Sequence, residues 1–109
     1  MIQAEVRTGP QGLAVLRVLG HAPEKSHAAI CNAVSILTQT LVQSLKILVG
    51  ESAYLLEEKK GWCHIQKVSS ETGNPEVETV LLKSWLIGME LIRNQSEGHL
   101  QIHVENCSS

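Results

Sequence analysis

Ile2, Ala4, Val6 and Thr8 alternate with Gln3, Glu5 and Arg7, the period of two that a strand shows when one face is buried and the other wet. Gly9-Pro10-Gln11-Gly12 reads as a turn, with Pro10 fixing its own φ and either glycine able to take a positive one. Residues 13–19 form a denser apolar run broken only by Arg17, as expected of a more buried strand. The two runs predict a hairpin that ends at Gly20-His21.

The period then changes. Ile30, Val34, Leu37, Leu41, Leu45 and Leu48 recur at spacings of four and three, the stripe of an amphipathic helix. Ser26 is its expected N-cap and Gly50 its expected stop. Residues 52–58 and 62–68 predict a second hairpin joined by Lys59-Lys60-Gly61. Pro75 opens a second helix with Asn74 as cap and Glu76 and Glu78 near its positive end. That helix runs to about Asn94 and carries two stripes. One, Val77, Leu81, Ser84, Gly88 and Leu91, has small residues that allow close approach of another element. The other, Leu82, Trp85, Met89 and Ile92, is either extra core or a homodimer surface. Ser96-Glu97-Gly98 breaks the helix, Leu100, Ile102 and Val104 alternate as a last strand, and residues 106–109 form a frayed tail.

Strand, strand, helix, strand, strand, helix, strand predicts an α+β two-layer sandwich: a mainly antiparallel five-stranded sheet with both helices on one face. The 109 residues suffice for one core, and residues 1–109 are read as one domain. Hydrophobic content of 43% with 18% charged residues is that of a folded globule. With no Phe and only three Trp and Tyr residues, that core falls to Leu, Val and Ile.

A net charge of -2 with no run of like charges argues against nucleic acid as a partner. The first residues lack the basic-then-apolar order of a secretory signal. Asn32, Gln39, Gln43 and Lys46 interrupt the longest apolar segment, so no membrane span is expected. Three cysteines without a Cys-x-x-Cys spacing argue against a disulfide framework or a zinc knot. A cytoplasmic protein without a cofactor is the expectation.

Chemistry concentrates where the first hairpin meets the first helix. A strand ending at Gly20-His21 and a helix beginning before Cys31 place an imidazole and a thiol at one edge of the sheet. A thiol attacks a peptide carbonyl well only as thiolate, and an ordinary cysteine with a pKa near ~8.5 is mostly protonated at neutral pH. A neighbouring imidazolium and the positive end of a helix both favour the thiolate. His21 and Cys31 therefore read as base and nucleophile. Ser35, one turn beyond Cys31, is the candidate to orient a group or bind substrate, and Gly20 ends the strand that carries His21. Cys63 and Cys107 read as bystanders.

At Gly20-His21-Ala22 and Cys31-Asn32-Ala33-Val34-Ser35, and along Ile36-Leu37-Thr38-Gln39-Thr40-Leu41, the sequence resembles the ribosomal-processing cysteine protease family. The resemblance implies a catalytic pair of His21 and Cys31 in a bacterial, cytoplasmic, usually dimeric protein. It also implies an activity, the removal of a short N-terminal extension from large-subunit ribosomal protein twenty-seven. Two departures are visible: the loop between His21 and Cys31 is somewhat shorter than the family's, and Ala28 stands three residues before Cys31 where the family carries Asp.

Two other readings stand beside this one. A catalytically weak or inactive binding protein on the same fold fits the missing acid. A zinc site on His21, His27 and Cys31 fits the four-residue spacing of His27 and Cys31.

Overall fold

The computed structural model describes residues 1–20, 28–59, 61–69 and 74–106. His21, Ser26, His27, Lys60, most of the loop before Asn74 and the tail beyond Asn106, Cys107 included, lie outside the described residues. Strands β1 (Ile2–Gly9) and β2 (Gly12–Gly20) precede helix α1 (Ala28–Ser44); strands β3 (Tyr54–Lys59) and β4 (Trp62–Lys67) precede helix α2 (Pro75–Gln95) and strand β5 (Leu100–Asn106). Across the sheet the order is β3-β4-β2-β1-β5. Three neighbouring pairs are antiparallel, and β5 joins β1 in parallel at the far edge. The sheet is therefore mixed at that edge, because β5 returns from α2 along the direction of β1.

Alternation decides which face is covered. Ile2, Ala4 and Val6 are buried while Gln3, Glu5 and Arg7 are exposed. Their inner faces join Leu16, Val18, Ile65 and Leu100 from neighbouring strands in one core with Val34, Leu41, Val42 and Leu45 from the first helical segment and with Leu82, Trp85 and Met89 from α2. Both helices thus cover the same side. The pairing slips by one residue between Arg7 and Thr8, a bulge that lets Leu13 as well as Leu16 and Val18 turn inward.

The first helical segment departs from its expected stripe at one place, and α2 keeps both of its own. After Ser44 the chain continues as a π-helical segment, Leu45–Gly50, followed by a 3-10 turn at Glu51–Ala53. The wider π turn rotates the register, so Leu45 stays buried but Leu48 points outward, 57% exposed. Residues Ala28–Ala53 are long and apolar enough by length and composition to cross a membrane; here one side of that segment packs on the sheet. In α2, Leu82, Trp85 and Met89 are core residues. The small-residue stripe does allow a close approach, for a Cβ on Gly88 would come within 2.6 Å of Cδ2 of Leu37.

Of the two acids expected near the positive end of α2, Glu78 is buried. Glu78 is 1% exposed and lies 4, 7 and 11 residues before Leu82, Trp85 and Met89 on the buried stripe. Its Oε1 accepts from Lys67 Nζ at 2.8 Å and from the Leu13 N–H at 2.9 Å, and its Oε2 accepts from the Tyr54 hydroxyl. Lys67 also donates to the Gln11 carbonyl at 2.7 Å. A buried carboxylate is tolerable only with such partners. Burial first, then the hydrogen bond and charge of Glu78, drive the Tyr54 hydroxyl pKa well above its ordinary value.

Candidate active site

Gly20 ends β2 with φ of +95°. A side chain there would be strained in that conformation and would overlap the Met1 carbonyl oxygen. Its N–H donates to the Gly61 carbonyl at 2.9 Å, which fastens the strand end to the turn between β3 and β4. The glycine of the Gly-His pair is therefore fixed by sterics.

Cys31 is the fourth residue of α1, on its first turn. It is half-buried and packs against the edge of the core. No acidic residue stands in that first turn, as the Ala28 departure foretold. Ser35 follows one turn later and Thr38 one turn beyond that, on the same side of the helix. Ser35 is exposed, and its Oγ accepts from Gln39 Nε2 at 3.4 Å. Thr38 is buried, and its Oγ1 accepts from the Trp85 indole N–H at 3.2 Å.

These residues open on one cavity of about 340 Å³. The helix wall carries Cys31, Ser35 and Thr38; the sheet wall carries Val18, Gly20 and Cys63, with Glu58, Lys59 and Trp62 at the hairpin end. Of the residues singled out in the sequence, Gly20, Cys31 and Ser35 are brought together here. His21 is bonded to Gly20 but lies outside the described residues, as does His27. Among the described residues, no three His, Cys, Asp or Glu side chains group as metal ligands.

Cys63 was not expected at this place. Strand alternation was the available signal, because Cys63 lies two residues from the buried Ile65 and so shares its face. Burial, and next the Glu58 carboxylate, push its thiol pKa up from the ordinary 9.0 to about 11. Lys59 is turned aside, its Nζ 5.7 Å from the centre of the Trp62 ring.

A thiol on the first turn of a helix, facing a cleft that is walled by the end of a strand, stands where a nucleophile could meet a bound chain. The family model described as cysteine protease Prp matches residues 1–101, and the chain belongs to that family. Among solved structures, a ribosomal processing protease Prp from S. aureus with a covalently linked product peptide matches with a TM-score of 0.79 at 18% identity, covering 96% of this chain and 100% of that one. The same S. aureus protease with a substrate peptide matches with a TM-score of 0.78 at 17% identity, over 96% and 100% of the two chains. A Streptococcus mutans protein matches with a TM-score of 0.75 at 22% identity, over 97% and 95%. At these identities the structural likeness establishes the fold. A search of curated protein sequences finds no match.

Proposed function

We propose that this protein is an endopeptidase that uses Cys31 as nucleophile and His21 as general base and acid. The observation that carries the reading is the convergence of Gly20, Cys31 and Ser35 on one cleft, with the imidazole borne by the residue bonded to Gly20. The Cys31 thiolate attacks the scissile carbonyl, the imidazolium protonates the leaving amine, and water releases the thioester. The first N–H groups of a helix lack intrahelical acceptors, so those at the start of α1 are the candidates to hold the oxyanion. Ser35 meets the peptide beside the nucleophile.

The substrate in this reading is the N-terminal extension of large-subunit ribosomal protein twenty-seven, removed during ribosome maturation in the cytoplasm. An extended peptide suits a shallow cleft better than a folded surface does. Family membership supports it, as do the product and substrate peptides held by the S. aureus proteases of the same fold. We place the work in one domain of a homodimer, with no nucleic acid, membrane, cofactor or metal taking part. Incubation with the ribosomal precursor tests it. The parent protein releases the extension, Cys31→Ala does not, and His21→Ala is slower by about 10²–10⁴-fold. Equal cleavage by parent and Cys31→Ala, or none by the parent, removes the proposal.

The carboxylate-free first turn of α1 favours a second reading, a binding protein of the same fold with weak or no activity. Tight retention of the extension by the parent, without cleavage, selects that reading.

A further inference from the structure

Cys63 has no part in the chemistry above, yet it shares the cleft with Cys31. The two sulfur-bearing residues come from opposite layers. Cys31 belongs to the first turn of α1, whereas Cys63 lies on the inner face of β4, paired with Val18 on one side and Glu58 on the other. Both are half-buried against the same core, and both are present as thiols. They are the two cysteines among the described residues.

A core cysteine at the edge of a cleft fills space no better than Ala or Val and adds reactivity. The raised pKa of Cys63 keeps it protonated at neutral pH, so it does not compete as a nucleophile toward peptide. Protonation also slows its attack on another sulfur, but a shared cleft that both residues line favours the attack by proximity.

We propose that Cys63 is the resolving thiol of a redox switch, through which a peroxide turns the cleft off reversibly by joining Cys31 to Cys63. The inference rests on the reading of Cys31 as the reactive thiol. In the first step the Cys31 sulfur attacks hydrogen peroxide: a sulfur–oxygen bond forms, the oxygen–oxygen bond breaks, and hydroxide leaves. The sulfur is now a sulfenic acid. In the second step the Cys63 sulfur attacks the Cys31 sulfur, a disulfide forms, and the oxygen departs as water with the Cys63 proton. Two thiols and one peroxide give one disulfide and two waters. The bridge draws the two Cα atoms to within about 7 Å, closes the cleft across its middle and shields Cys31 from irreversible oxidation to sulfinic acid.

The test treats the full chain with hydrogen peroxide, blocks remaining thiols, and reads intact mass and non-reduced peptide maps beside cleavage of the ribosomal precursor. The expected result is loss of two hydrogen atoms, a Cys31–Cys63 crosslinked peptide, loss of cleavage, and its return with a dithiol reductant. In Cys63→Ala and Cys63→Ser the crosslink is absent, excess peroxide carries Cys31 past the sulfenic to the sulfinic acid, and the activity lost in that way does not return with the reductant. Oxidation of Cys31 to sulfinic acid in the parent without a bridge, or a bridge to Cys107 instead, overturns the inference. Because the bridge is read by mass in the parent chain, it is decided separately from protease activity: failure of the reduced protein to cleave counts against the endopeptidase alone.

Discussion

The indole N–H of Trp85 donates to the Thr38 hydroxyl at 3.2 Å, joining α2 to a residue of the cleft's helix wall. Both groups are buried, so the bond fixes how α1 is presented seven residues after Cys31. Thr38→Val keeps the shape and removes the acceptor, leaving the indole N–H unsatisfied. The expected loss is about 1–3 kcal/mol in chemical denaturation. It should appear with a weaker apparent affinity for peptide, since the helix wall loses its tether.

The Glu78 cluster carries a larger share of stability. Lys67 and Glu78 side chains are 12% and 2% exposed, and removal of one partner strands the other. Glu78→Ala should therefore cost about 3–5 kcal/mol in urea unfolding, and Tyr54→Phe about 1–3 kcal/mol through the unpaired carboxylate oxygen. Glu78 abuts Gly12, at the opposite end of β2 from Gly20, roughly 25 Å away at strand rise. Whatever fraction of these variants remains folded should cleave normally.

Alkaline pH should unfold the protein along a defined course. The Tyr54 hydroxyl and the Cys63 thiol both have folded-state pKa values above their ordinary 10.0 and 9.0. Between each group's ordinary value and its raised folded-state value the unfolded chain has released a proton that the folded chain still holds, so stability falls as pH rises. The decline should begin near pH 9 and steepen past 10. Thermal melts across this range should show a flatter profile for Cys63→Ala from 9 to about 11 and for Tyr54→Phe above 10.

Gly20→Ala probes the strand end that carries the imidazole. The left-handed backbone costs about 1–2 kcal/mol for a residue with a Cβ, and the overlap with the Met1 carbonyl adds to it. The variant should melt earlier and should lose cleavage by more than its folded fraction explains. Circular dichroism and the precursor assay, run on the same sample, separate the two effects.

Much of the architecture was legible because the patterns are local. Alternation at Ile2, Ala4 and Val6 and the four-three spacing from Ile30 to Leu45 each answer to one buried face. What escaped depends on a change of helix type or on partners distant in sequence. Leu48 fits the stripe, and only the π turn takes it out of the core. Glu78 has the position of a core residue and the chemistry of a surface one; Tyr54, Lys67 and the Leu13 N–H reconcile the two. The parallel direction of β5 follows from where α2 lets the chain return, which no short pattern records. At the site, Gly20, Cys31 and Ser35 were readable from one stretch of chain, whereas Cys63 and Glu58 reach it from the second hairpin.

The nucleophile can be identified by where the acyl group rests. Parent protein mixed with a peptide spanning the extension, quenched in acid during the first turnover and digested, should carry the N-terminal part of that peptide as a thioester on the fragment containing Cys31. Cleavage that proceeds with the acyl group on Cys63, or with no acyl group on any cysteine, contradicts the account.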